Sequence, residues 1–579
     1  MRKIITLIIS ALAAVVCSAA VSPSKVFVVA NSAVDGSPEL ARYYCKTRAI
    51  PEKNIILIDL PLPKIPTPRG ITTDELNGFV PRKTYLDKIE TPIIQQLVSL
   101  GAIEAFPLGG SDNLGRENLL PTRINFDYLV LCKGVPWGIS TRAAKAKIIN
   151  KFSTEESSVD SELSARFLKM KSLKGAVPNP AFKRFGDEWK SYMLLRVARL
   201  DAITFSDARK LIDNALYAET NGLRGRAYID KSHYAKPGDK WLDSAAKLLI
   251  SEGFDTSVDN RSAVMDYDTR FDAAAVYFGW YSTAPCRYFA IPAFSCAPAM
   301  IGWHIYSFSA LSLTDKNFWT PVFAAKNSAA TDGNVFEPYL SLTRNVDVFA
   351  DCVFAKKMLP SEAAFAALPS LSWQNIYIGD PLYNPHKTPL SAQLENIARG
   401  KTDAYSQYSL IRNANLIAKT DGNAAAAAYL KQFEGKLPDT ALVWKIAELS
   451  PARENILRAA KLLFDRKIFN DPQYTGLAFE IVAALQKHSE PRLALNYCES
   501  IISNDTLAFA HPLAAKRAEA AAQKASLDVS PKTRKILNKI AAEEIKKLEA
   551  KMKKSAQSKT SNVPKNPPES ATKTPSKTP

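Results

Sequence analysis

The chain has 579 residues, 46% of them hydrophobic and 23% charged, with a formal net charge of +18. That length suits two or three domains with a sizeable core, and the apolar content excludes a wholly disordered chain. From Pro531 onward there are 13 Lys/Arg against 4 Asp/Glu, so half of the positive surplus belongs to an extension without aromatics. A nucleic-acid reader would need basic residues on a folded face with aromatic or groove-reading partners. Attachment to an acidic envelope polymer, or simple solvation, suits this tail better.

In chain order, Arg2 and Lys3 form a positive n-region, Ile4 to Val16 an apolar h-region, and Cys17-Ser18-Ala19-Ala20 a small-residue cleavage region. This is the pattern of a secretory signal over residues 1–20, too short to span a bilayer. A lipid attached at Cys17 is the alternative, and Val16 is a poor residue before such a cysteine. The mature protein is expected to be exported: periplasmic, on the outer envelope or extracellular.

Val26 to Ala30 reads as a buried strand, Ser37-Pro38 as a helix start, Glu39 to Arg48 as a helix and Asn54 to Leu60 as the next strand. That βαβ unit implies neighbouring parallel strands. A second helix is expected over Tyr85 to Leu100. Further strands are expected at Asp127 to Cys132, Arg226 to Asp230, Ala273 to Phe278 and Ala299 to Ile305, with a helix from Trp241 to Glu252 between. Their continuous apolar runs predict a sheet covered on both faces. The expected fold is α/β: a three-layer α/β/α sandwich with a mostly parallel sheet over residues 21–390, carrying a polar insertion near 143–185. Residues 400–530 are expected to form an all-helical, solenoid-like region. A charged helix is expected at 531–554 and a disordered Lys/Pro/Ser/Thr tail at 555–579.

The chemistry-bearing residues gather between Tyr277 and Pro385, where apolar runs end in small, polar or aromatic residues. A sheet presents a site at its carboxyl edge in this way. His304 lies three residues before Ser307, and a histidine beside a hydroxyl can act as its general base; a hydrogen-bonded core histidine is the plainer alternative. Glu337 after an Asn-containing turn is a candidate acid, base or ligand, or else a turn carboxylate. Asp380, between Gly379 and Pro381, is a candidate binding residue or a turn-fixing one. Trp280 and Tyr281 are candidate substrate-binding aromatics, and Trp303 and Trp373 could line the same cleft or fill core.

Six cysteines follow the signal, with no CxxC pair, so zinc is not expected. Cys286 and Cys296 flank one loop and are a candidate disulfide. Asp255, Asp259, Asp266, Asp268 and Asp272 form an acidic stretch that lacks EF-hand spacing, and a solvated loop is expected there rather than calcium. No phosphate loop, GxGxxG, HExxH or GxSxG pattern occurs. Neither metal nor cofactor is expected.

Several of these pieces carry a resemblance. They include Val29-Ala30-Asn31, Arg48-Ala49-Ile50-Pro51, Lys133-Gly134-Val135-Pro136, Gly279-Trp280-Tyr281 and His304 through Ala310. Glu337-Pro338-Tyr339-Leu340 and Gly379-Asp380-Pro381-Leu382-Tyr383 complete the set. Over residues 26–385 the chain resembles a family of uncharacterised exported bacterial proteins. That family occurs in bacteria carrying exosortase, the membrane enzyme proposed to sort proteins with PEP-type C-terminal signals. At the level of fold it is similar to gingipain-type and caspase-like peptidases. Those enzymes place His-Gly at one strand end and Cys at the next; this chain has Gly279-Trp280-Tyr281 and Ser307-Phe308-Ser309 there. The expectation is therefore a peptidase-like α/β domain that binds a peptide, glycan or envelope polymer without catalysis, with helices that dock a protein partner. The alternative is a hydrolase acting through His304, Ser307, Glu337 and Asp380.

Overall fold

The computed structural model describes residues 21–61, 78–112, 115–140, 156–168 and 175–560. The expected signal (1–20) and the tail beyond 560 lie outside them. The chain divides into two compact units, Met1–Glu480 and Ile481–Pro579.

The first unit is built on a ten-stranded sheet. Its strands are β1 (Val26–Asn31), β2 (Ile55–Ile58), β3 (Tyr128–Cys132), β4 (Val197–Leu200), β5 (Arg226–Asp230), β6 (Thr256–Asp259), β7 (Ala274–Gly279), β8 (Met300–His304), β9 (Ser328–Asn334) and β10 (Asn375–Gly379). The spatial order is β6-β5-β7-β8-β9-β10-β4-β3-β1-β2. All neighbours from β6 to β9 pair parallel, as do those from β4 to β2, while β10 runs antiparallel to β9.

Helices cover both faces, as continuous apolar strands require. Alternate residues of β1 show the layering. Val26, Val28 and Ala30 pack into a core shared with α1 (Ser37–Arg48). Phe27 and Val29 point the other way, into a core shared with α2 (Thr91–Ser99). The α/β sandwich read from the sequence is therefore the observed fold, followed by helices.

Two expectations need correction. Residues 157–168, read as part of a polar insertion, are core. Ser157–Ser158 pairs with Gly138–Ser140, and every residue of α3 (Val159–Ser164) is buried. Their polarity is counter-charge: Asp160 accepts from Arg199 at 2.6 Å, and Glu162 from Arg82 at 2.9 Å. A polar run that looks like surface in sequence is here paired with buried arginines.

The helical region does not begin as a separate body at 400. Its first helices, α4 (Ser406–Lys431) and α5 (Thr440–Leu449), belong to the sheet's unit. Asp403 accepts from both Arg224 Nη atoms at 2.8 and 2.7 Å, Tyr408 donates to Asp272 at 2.7 Å, and Lys445 donates to Asp255 at 2.8 Å. Ion pairs and a phenol hydroxyl cross that junction beside apolar contacts such as Ala273 against the helical core.

In the second unit, α6 (Pro491–Ser503) and α7 (His511–Ala525) bury alanines such as Ala494, Ala514, Ala518 and Ala521, whose small side chains allow close approach. The last helix, α8 (Pro531–Thr560), runs six residues past its expected end. Ser530 starts it by accepting the Thr533 N–H at 3.2 Å.

Candidate functional site at the carboxyl edge

β5, β7 and β8 end level with one another, with Asp230 opposite Gly279 and Gly279 opposite His304. Tyr277, two residues before Gly279, shares its face of the sheet. A side chain at 279 would collide there: a Cβ would sit 2.5 Å from Tyr277 Oη and 2.8 Å from His304 Nδ1. Glycine at that strand end lets phenol and imidazole close over the backbone.

What closes is a buried chain of hydrogen bonds. The Ser282 backbone N–H donates to His304 Nε2 at 3.0 Å. Nε2 is therefore an acceptor and the ring proton sits on Nδ1. Nδ1–H donates to Tyr277 Oη at 3.1 Å, and the Tyr277 hydroxyl donates to Asp230 Oδ2 at 2.8 Å. Asp230 also accepts the Met265 N–H at 3.2 Å. Burial pushes His304 well below the ordinary histidine range, so the ring is neutral. Burial likewise raises the Asp230 carboxyl to about 7.

Trp319, the first residue of the helix Trp319–Ala325, lies flat on the imidazole at 3.7 Å and 4°. Its Nε1 donates to the Ser282 carbonyl at 2.9 Å. The stacked His304 and Trp319 thus hold the N–H and the carbonyl of one residue, Ser282, in the loop after β7.

This geometry sorts the sequence candidates. His304 and Ser307 share the edge, but both imidazole nitrogens are already engaged, and Ser307 hydrogen-bonds the Tyr281 side chain instead. Neither nitrogen is positioned to take a proton from Ser307. Glu337 stands on the same edge; its Oε1 accepts the Tyr339 N–H at 2.9 Å, and its charge faces the hydroxyls of Tyr281 and Tyr306. Trp280 is buried, with Nε1 donating to Asp239 at 3.3 Å, while Tyr281 is half-buried beside it.

Asp380 does not join them. Gly379 pairs with Ala330 near the start of β9, so Asp380 lies at the other edge, roughly 13 Å away along the strands from His304. It is fully buried there, accepting from Tyr44 Oη at 2.7 Å, Arg48 Nε at 2.5 Å and the Leu382 N–H at 2.9 Å. Arg48 also binds Glu219 with both Nη atoms, at 2.9 and 2.8 Å. Asp380 is a structural anchor between α1 and the end of β10. Trp303 and Trp373 are likewise buried: Trp303 packs against Phe349, and Trp373 Nε1 donates to the Pro338 carbonyl at 2.8 Å.

Sequence reasoning missed Asp230, Tyr277 and Trp319, and it missed a surface feature. Four consecutive strands of the sheet each send an aromatic residue to this edge. Tyr234 follows β5, Tyr281 follows β7, Tyr306 and Phe308 follow β8, and Phe336 follows β9. Their rings touch in sequence. Tyr234 stacks on Tyr281 at 4.7 Å and 14°, Tyr281 meets Tyr306 at 5.2 Å, Tyr306 meets Phe308 at 5.9 Å, and Phe308 meets Phe336 at 5.4 Å. Tyr234 is 69% exposed and Phe336 39%. Three of these four contacts are edge-on, at 68°, 68° and 89°, so the rings pack mainly on one another and leave Tyr234 and Phe336 as the exposed members.

The remaining candidates resolve into structure. Cys286 and Cys296 are free and buried, as are the other four described cysteines, and burial raises both thiols. The pairing left open for them is absent, and neither is an activated thiolate. The acidic stretch is met by arginines: Arg226 binds Asp255, Arg261 binds Asp259 and Asp268, Arg270 binds Asp272, and Arg287 approaches Asp266. No cluster of metal-ligating side chains occurs among the described residues, and no described helix is long and apolar enough to cross a membrane.

No family model matches the chain, and no curated protein matches it. Among solved structures it is similar to one titled "Structure of Protease", with 11% identity, coverage of 63% of this chain and 79% of that one, and a TM-score of 0.33. A similarity of that size carries no argument about what this chain does.

Proposed function

We propose that the protein is an exported, envelope-associated binding protein whose peptidase-like α/β domain holds a peptide or glycan without cleaving it. The observation that carries this reading is the occupancy of His304. A general base needs a ring nitrogen within reach of the nucleophile's proton, and here one nitrogen holds a backbone N–H and the other a phenol. Export is supported by the n-, h- and c-regions of residues 1–20 and by the resemblance to exported bacterial proteins.

Activity-based labelling tests the reading. The purified mature protein and its His304→Ala variant are treated under native conditions with a fluorophosphonate and with iodoacetamide. Neither form is expected to label at a serine or cysteine of the α/β domain. A single serine labelled in the native protein and lost in His304→Ala would establish the hydrolase alternative instead. N-terminal sequencing of protein recovered from the cell exterior or periplasm tests export, with a start at Ala20 or Val21 expected.

A further inference from the structure

We propose that Glu448 and Glu480 hold one proton between them, and that this proton makes a pH-sensitive clasp fastening α5 and the helix Thr475–Lys487 to the amino edge of the sheet.

The clasp is built where three strands begin. Arg226 opens β5, Asp255 precedes β6, and Arg270 and Asp272 precede β7. Arg226 Nε donates to Asp255 Oδ2 at 2.7 Å, and Arg270 Nε donates to Asp272 Oδ1 at 2.6 Å. Three helices meet these pairs. α4 brings the Tyr408 hydroxyl to Asp272, and α5 brings Lys445 to Asp255. α5 also carries Glu448, with Oε2 3.5 Å from Lys445 Nζ and Oε1 3.6 Å from Arg270 Nη1. The helix Thr475–Lys487 adds Glu480, which accepts from Trp444 Nε1 at 2.6 Å.

The charges in this cluster do not balance by themselves. Arg226, Arg270 and Lys445 stand against Asp255, Asp272, Glu448 and Glu480, so one carboxylate is in surplus. The carboxyls of Glu448 and Glu480 hydrogen-bond each other. Ionised carboxylates only accept, so that bond needs a proton on one of them. With it bound, the cluster is neutral.

The surroundings place the proton on Glu448. Burial, then the charges of Asp255 and Glu480, push its carboxyl up to about 7 against the pull of Arg270 and Lys445. Glu480 is held below the ordinary carboxylate range: Arg270, the bond from Glu448, Arg226 and the Trp444 N–H together outweigh its burial. Tyr228, Tyr408 and Tyr474, the other titratable groups facing the cluster, have their phenols raised by burial and remain neutral. The Glu448 side chain is 29% exposed, which gives the proton a route to solvent.

The sign of the pH effect follows. Docked, Glu448 keeps its proton to about pH 7; undocked in water it would lose it near ~4. The clasp is therefore complete below pH ~4 and is lost as pH rises through 7. Above that, two ionised carboxylates face each other and the surplus charge is uncompensated.

The experiment is amide hydrogen exchange on the full chain from pH 5 to 8, corrected for intrinsic exchange rates, beside Glu480→Gln and Glu448→Gln. Each glutamine donates to the remaining carboxylate without a titrating proton and leaves three cations against three carboxylates. Circular dichroism checks both folds. Protection of α5 in the native protein is expected to fall by about tenfold or more between pH 5 and 7 and then to level off, as release of one proton requires. Both variants are expected to keep α5 protected throughout, and β1 and β3, at the far end of the sheet order, to stay protected in all three proteins. Protection of α5 that does not change with pH in the native protein overturns the inference. The same fall in either folded variant also overturns it, because the proton released would then belong to another group.

Discussion

The two edges of the central sheet each bury a carboxylate at a strand end, and they treat it in opposite ways. At the edge holding Asp380, the carboxylate meets a guanidinium, a phenol and a backbone N–H. Although burial works against its charge, Asp380 and Glu219 hold the Arg48 guanidinium protonated more firmly than usual. At the edge holding Asp230, the partners are a phenol and a backbone N–H, with a neutral imidazole behind them. Charge is matched by charge at the first edge, and at the second the proton is retained. The first arrangement locks α1 to the end of β10; the second clamps the loop that carries Tyr281 to solvent. Buried polarity alone therefore does not mark a site.

The largest effect is expected where charge is matched. Arg48→Ala leaves Asp380 buried without its cation and Glu219 with Lys387 alone, at 3.3 Å, and should cost about 3–5 kcal/mol in urea unfolding. A cost below about 1 kcal/mol would remove the contrast between the edges.

The next effect is a pH dependence. A buried carboxyl raised to about 7 binds its proton more tightly folded than unfolded, where it titrates near ~4. Its contribution to stability is complete below pH ~4 and is lost as pH rises through 7. Each such group contributes up to about 1.4 kcal/mol per pH unit in that window. Asp332 and Glu448, also raised to about 7, add to the same decline. Asp230→Asn should make the fall in stability between pH 4 and 7 shallower, and an unchanged slope would show that Asp230 titrates normally.

A smaller effect follows from the link between the two rings. Tyr277→Phe removes the hydroxyl joining His304 to Asp230 and leaves buried polar atoms unmatched, at about 1–3 kcal/mol. The histidine Nδ1–H resonance should shift in the NMR spectrum. Smallest in stability is Tyr234→Ala, expected within about 0.5 kcal/mol because the ring is exposed, so any large effect of that change must appear in binding.

Much of this fold was legible in sequence. The strands at Val26, Tyr128, Arg226, Ala274 and Met300 are continuous apolar runs bounded by turn residues, a local signal. The His304 edge was legible for the same reason, since each run stops where polar or aromatic residues begin. The partners were not. Asp230 and Tyr277 precede His304 by 74 and 27 residues, and only the register of β5, β7 and β8 brings them together. An acid closing a five-residue buried strand was the one available hint. Asp380 misled for the converse reason: its motif is distinctive, but the antiparallel course of β10 carries it to the opposite edge. Residues 157–164 misled because their counter-charges, Arg82 and Arg199, lie far away in the chain.

Gly279 has a consequence for how this surface tolerates change. Because one of its two Cα hydrogens is what Tyr277 and His304 close upon, Gly279→Ala would wedge a methyl group between phenol and imidazole while leaving the ladder on either side able to pair. The expected product is a folded domain whose 280–284 segment is unmoored, with amide protons there exchanging fast while those of β5 and β8 stay protected. The scaffold and the segment carrying Tyr281 would then come apart through the smallest possible addition.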